Sequence, residues 1–186
     1  MSINLQKGQK ISIDKEAGGA LTQIVMGLGW DASAGDDDDR VDLDASCILF
    51  DASGKVVDTV WFGQLKSRDG SVRHSGDNLT GDGEGDDERI HVDLTRVPAS
   101  VKSLVFTVNS FSGDDFSDVN NAFCRIVNAA NEQEIARYDL SVQGAHTAQI
   151  MAKVYRHNGE WKMHAIGENG NGDTFEELVP LIAPYL

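Results

Sequence analysis

The sequence predicts an all-β fold: an antiparallel β-sandwich with acidic loops clustered at one end and a short C-terminal helix. Short segments that alternate apolar and polar residues recur at fairly regular spacing along most of the chain. Glycine, asparagine and aspartate punctuate them at loop positions. Helix-like patterning is confined almost wholly to the C-terminal stretch, so strands have to build the core.

Taken in order, residues 9–14 alternate and are expected to form a strand, followed by strands over 22–30, 41–50, 55–62, 89–94, 101–109, 122–128, 134–140, 147–157 and 160–166. The pair Asn158-Gly159 joins the last two and is a two-residue hairpin signal. Asp173 is expected to cap a helix over 174–179, and Pro180 to end or kink it. A second helical turn is expected over 116–121. No internal repeat or linker interrupts the chain, so residues 1–186 are expected to form one domain.

The chain has 186 residues, 40% of them hydrophobic, and a formal net charge of −14. That is too apolar for a disordered acidic protein, and it offers no basic stripe for nucleic acid. The start, Met1 to Gly8, lacks the basic region and long apolar core of a signal peptide, and no apolar run approaches the ~20 residues of a spanning helix. The expectation is a cytoplasmic protein without direct membrane insertion. Two cysteines, Cys47 and Cys124, are too few for a disulfide framework.

The stretch 27–46 carries seven acids, Asp31, Asp36, Asp37, Asp38, Asp39, Asp42 and Asp44, against one base, Arg40. Apolar strands flank it on both sides, so folding crowds these carboxylates, and crowded carboxylates need protons or a cation. Asp42 and Asp44 share one face of their strand, roughly 6.5–7 Å apart, and Asp31 could close the site from across the loop. A second loop, 74–88, holds six acids and four glycines. Glycines let backbone carbonyls join carboxylates around one ion. A third acidic stretch covers 112–118. The candidate metal-binding residues are Asp31, Asp42, Asp44, Asp77, Asn78, Thr80, Gly81, Asp86, Asp87 and Glu88. A hard cation with oxygen ligands, Ca²⁺ first, is the expected occupant, in two sites. Asp36 to Asp39 read instead as solvated charge, because four consecutive carboxylates cannot all point one way. An EF-hand register starting at Asp82 fails: its sixth position is Asp87 where glycine is required, its twelfth is Asp93 where glutamate is required, and strands flank it.

These segments resemble the signatures of the tellurium-resistance TerD family: Gly27-Leu-Gly-Trp-Asp31, Asp42-Leu-Asp-Ala-Ser46, Gly76-Asp-Asn78 with Thr80-Gly81, and Asp86-Asp-Glu88. Phe116-Ser-Asp-Val119, Asn121-Ala-Phe123 and Arg137-Tyr-Asp139 are also similar. The resemblance implies a Ca²⁺-binding β-sandwich of the bacterial cytoplasm, peripheral at the inner face of the membrane. It implies a role in tellurite resistance and stress response, through proteins of the tellurite-resistance system, an integral membrane partner among them. Asp31, Asp42, Asp44, Asn78, Asp86 and Glu88 inherit the ligand role.

Two other functions compete. A metal-dependent hydrolase would pair a histidine such as His74 with carboxylates, but the five histidines are scattered without zinc-type spacing. His91 reads as an exposed strand residue. A Ca²⁺-dependent membrane-binding module would need apolar loop tips, for which Phe111 and Phe116 are the candidates. Trp30, Trp61 and Trp161 are expected in the core. Both cysteines fall on strands, where buried thiols are inert, which disfavours thiol reduction of tellurite. The sequence therefore favours a non-enzymatic Ca²⁺-binding sandwich.

Overall fold

The computed structural model describes residues 2–32, 42–76, 85–140 and 144–186. Its strands are β1 (Ile3–Asn4), β2 (Lys10–Ser12), β3 (Gln23–Ala32), β4 (Leu43–Asp51), β5 (Val56–Val60) and β6 (Val72–His74). They continue as β7 (Glu88–Asp93), β8 (Val101–Ser110), β9 (Val119–Asn128), β10 (Gln133–Asp139), β11 (Ala148–His157) and β12 (Glu160–Gly170). Two six-stranded sheets result, in the orders β1-β10-β9-β3-β7-β6 and β2-β12-β11-β8-β4-β5. Every pairing between these strands is antiparallel except β1 with β10.

Alternation decides what each sheet buries. Ile24, Met26, Leu28 and Trp30 of β3 face Leu43, Ala45, Cys47 and Leu49 of β4 within one core shared by both sheets. The second sheet is covered on its outer face as well. There Ile48, Phe50, Val105, Ala148, Ile150 and Ile166 pack against Leu178 and Ile182 from the C-terminal segment. Burial on both faces explains the unbroken apolar run Cys47 to Phe50.

Several expectations change in detail. Residues 13–16 form a helical turn, α1 (Ile13–Glu16), because Ser12 accepts a capping bond from the Lys15 amide. The expected helix at 116–121 is a single 3₁₀ turn, Phe116–Asp118, after which β9 begins. The C-terminal cap is Thr174, not Asp173, and forms a capping box with Glu177. Pro180 does not break the segment: it sits in the first turn of α2 (Val179–Ile182), where no amide hydrogen is needed. Trp61 is not a core residue. It stands partly exposed in an aromatic row with Phe62 and Phe175. The Asn158-Gly159 turn is as expected, with both residues at positive φ, 52° and 77°.

Register also brings together the strand ends that flank the acidic segments. Ala32 lies opposite Val119, Leu28 opposite Glu88, and Leu43 opposite Ser110. The chain ends flanking the three acidic loops therefore meet at one end of the sandwich.

Candidate metal centre at the acidic end

Near its end, β3 carries a bulge between Gly29 and Asp31, and its pairing with β7 stops at Leu28 opposite Glu88. Beyond that last pair the amide of Trp30 is bonded by a side chain. Asp87 takes it, accepting the Trp30 N–H at 2.8 Å, while the Asp87 N–H donates to the Leu28 carbonyl at 2.8 Å. One residue on, Asp31 accepts from the side-chain amide of Asn121 at 2.7 Å. Asn121 sits at φ 52°, a left-handed conformation that asparagine tolerates. Burial pushes the Asp87 carboxyl above its ordinary range, and the charges of Asp31, Asp86 and Glu88 push it the same way. The carboxylates at this end therefore repel one another.

Glu88 is completely buried between the sheets. It accepts the Ala45 N–H at 2.7 Å, at a point of β4 that β5, which pairs from Cys47 onward, does not reach. Nε2 of His74 lies 3.2 Å from the same carboxylate, and Nδ1 of His74 accepts the Gly76 N–H at 3.0 Å. The ring thus carries its proton on Nε2 and donates to Glu88. Glu88 stitches the two sheets together, and both nitrogens of His74 are engaged in holding it.

Asp86 points the other way. Arg125 grips it with both Nε at 2.7 Å and Nη2 at 3.0 Å, and Arg89 approaches at 3.4 Å, on the outer face of the first sheet. Gly27 lies beneath. A β-carbon there would overlap the Asp86 carboxylate, with Oδ2 at 2.6 Å. The Gly27-x-Gly29 spacing has a steric cause: at Gly29 a β-carbon would sit 2.5 Å from the Gly85 carbonyl and from the Phe123 ring. Arg125, Arg89 and His74 were not among the expected site residues. His74, next to the acidic loop in sequence, had a place only in the hydrolase reading, whereas nothing local in sequence marks Arg89 or Arg125 as carboxylate partners.

Asp44 is buried on the face of β4 turned away from the shared core, opposite Asn109 of β8. Asp42 precedes the strand by one residue. The expected ligands thus divide: Asp31 and Asp87 at the rim of the first sheet, Asp42 and Asp44 at the mouth of the second, Glu88 between the sheets, and Asp86 in an ion pair outside. Asp77, Asn78, Thr80 and Gly81 lie outside the described residues, as does the run Asp36 to Asp39. Among the described residues, no group of three or more His, Cys, Asp or Glu side chains converges to hold a metal. The donor chemistry at this end is nevertheless that of a hard cation, because the candidate donors are oxygens.

Both cysteines are fully buried, and burial pushes the Cys124 thiol up to about 12 and Cys47 higher still. Phe116 is core, whereas Phe111 is half exposed and packs edge-on against Phe62. Among the described residues no helix is long and apolar enough to cross a membrane.

Comparison with known proteins gives a consistent result. The model of the TerD domain matches residues 1–181. The chain is 47% identical to tellurium resistance protein TerZ of Serratia marcescens over 184 residues, covering 95% of this chain and 94% of that one. It is 45% identical to general stress protein 16U of Bacillus subtilis, covering 92% and 93%. A solved homologue of telluride resistance protein (TerD) from Streptomyces coelicolor shares the fold, with TM-score 0.72 at 22% identity over 86% of this chain and 96% of that one.

Proposed function

The chain belongs to the TerD domain family, and from that premise we propose that it is a non-enzymatic, Ca²⁺-binding protein of the tellurite and general stress response, acting in the cytoplasm through protein partners. Relatives named for tellurium resistance and for general stress support the physiological role. The observation that carries the metal reading is the crowding of Asp31, Asp86, Asp87 and Glu88 at one end, where the strand ends flanking three acid-rich segments meet. Asp86 is neutralised by Arg125, and Glu88 is held by Ala45 and His74. Asp31, Asp87, Asp42 and Asp44 are then the described side chains that would hold the ions, together with oxygens from the loop containing Asp77, Asn78, Thr80 and Gly81. Bound Ca²⁺ would supply positive charge and fix the loops as a surface that partners read, at the inner face of the membrane or in solution.

The test is calorimetric Ca²⁺ titration of chelator-treated protein, with the fold followed in parallel. Ca²⁺ should bind in preference to Mg²⁺, which demands near-octahedral geometry and keeps its waters. It should raise stability by about 2.7 kcal/mol at a hundredfold excess over Kd. Asp42→Asn and Asp44→Asn should each weaken binding sharply, whereas asparagine at Asp36 through Asp39 should change it little. Tight Zn²⁺ binding with no Ca²⁺ effect would overturn the reading.

A further inference from the structure

At the opposite end of β3 from the acidic loops lies a cleft of about 240 Å³ with the reverse charge. Lys66, Arg73, His91, Arg96 and the buried Ser71 line it. The chain carries a net charge of −14, so a cationic wall is the exception on its surface. Register builds this wall. Arg73 of β6 stands directly opposite His91 of β7 on one side and opposite Lys66, across an isolated bridge, on the other. Directly opposed side chains point to one face, their β-carbons about 4.5–5.5 Å apart, where like charges repel. Arg96 folds in from the turn after β7. Its Nη2 and Cε of Lys66 lie 3.0 and 3.3 Å from the place a β-carbon would occupy on Gly70. Glycine at this position, at φ +75°, is what lets the two cations close over the turn.

Among the described residues, none of Lys66, Arg73 and Arg96 makes an ion pair. The one carboxylate in the wall, Asp93, is engaged at both oxygens: Oδ1 accepts from the Thr95 amide at 3.1 Å and hydroxyl at 2.5 Å, and Oδ2 accepts from the Gln23 side-chain amide at 3.4 Å. Among the described residues the guanidinium of Arg96 donates only to the Asp69 carbonyl, at 3.3 Å, while its backbone amide donates to the Asp93 carbonyl. A second, independent observation concerns Ser71. The residue lines the cleft, yet it is only 2% exposed, and its buried hydroxyl has no hydrogen-bond partner among the described residues. A buried hydroxyl left without a partner is costly. Its own turn is already set by Ser67 and Asp69, which hold the amides of Val72 and Ser71.

We infer that this cleft is a binding site for a small oxyanion of the phosphate or phosphomonoester class, held by Arg73, Arg96 and Lys66 with the Ser71 hydroxyl as a neutral donor. Three cations against one carboxylate leave the wall at about +2 with His91 neutral, which matches a dianion. The site is independent of the metal end. Gln23 in the cleft and Asp31 at the acidic rim are eight residues apart on β3, roughly 27 Å.

The experiment is calorimetric titration with inorganic phosphate and, separately, with tellurite, which is also an oxyanion. Amide shifts of Ser71, Arg73 and His91 are followed by NMR, with chelator and with Ca²⁺. Saturable binding with shifts confined to the cleft is expected in both conditions. Persistence under chelator separates it from the metal reading. Arg73→Gln and Arg96→Gln should each weaken binding roughly tenfold, the loss of one charge-assisted hydrogen bond. Ser71→Ala should weaken it less. Lys55→Gln removes the same charge elsewhere and should leave it unchanged. Preference for tellurite would tie the cleft to the resistance function, and preference for phosphate to a metabolite. Absence of saturable binding by either probe, or an equal loss in Lys55→Gln, would overturn the proposal.

Discussion

Gly27 shows how much one missing methyl group decides. The Asp86 carboxylate occupies the space a β-carbon would need, and Arg125 fixes it there from the neighbouring strand. The carboxylate cannot retreat without loosening a nearly buried ion pair, which is costly to break. Gly27→Ala is expected to lower stability by about 1–3 kcal/mol, the usual cost of overpacking, measured by urea denaturation. An unchanged midpoint would mean that Asp86 swings away freely and that the glycine serves no steric purpose. Glu88, two residues along the chain, has a different task. Alternation turns it inward, where Ala45 and His74 hold it between the sheets. Neighbours in one acidic tripeptide thus hold the outer face, the rim and the interior.

At the scale of elements, the C-terminal segment is the least conventional. It runs as a 3₁₀ turn (Phe175–Leu178), α2, and a further 3₁₀ turn (Ala183–Tyr185). None of these is long enough to persist alone, since isolated helices shorter than about 12–15 residues are marginal in water. Packing holds it: Leu178 and Ile182 cover Ile48, Phe50 and Ile150 on the outer face of the second sheet. Asn109 fastens its beginning by donating to the carbonyls of Gly172 and Thr174 at 3.0 and 2.9 Å. Leu178→Ala should cost about 2–5 kcal/mol and expose an apolar face that binds a hydrophobic dye. If stability falls without dye binding, the segment stays docked and the loss is a local cavity alone.

The whole molecule is electrically polarised. The strand ends that flank the acid-rich segments meet at one end of the sandwich, and the cationic cleft lies at the other. With a net charge of −14, self-repulsion opposes the compact state. Sodium chloride should therefore raise the melting temperature at pH 7, levelling off once the Debye length falls to about 8 Å or below. At fixed high ionic strength a further rise is expected from Ca²⁺, because close coordination survives screening. Thermal melts across both titrations check this. If salt alone reproduces the full Ca²⁺ effect, the ion acts as atmosphere and not as a bound ligand.

What the sequence determined by itself follows from period and chemistry. Strand alternation depends on which residues are apolar, and it is written locally, so most strands and the Asn158-Gly159 hairpin were legible. That the strand ends flanking the acidic segments meet at one end was legible too, because the connections of a sandwich collect at its two ends, alternate ones at the same end. The remainder rests on contacts between residues far apart in the chain. β1 and β6 are too short to show a period, and their pairing comes from β10 and β7. Asp86 reads like Asp87 in sequence, yet Arg125, thirty-nine residues away, makes it an ion-pair partner. Trp61 looks like core until the ends of the sheets are known. The cationic cleft has no local signature at all: Lys66, Arg73, His91 and Arg96 are ordinary surface residues one by one. Strand register alone sets them side by side, since register follows from the packing of two whole sheets and no short window of sequence contains it.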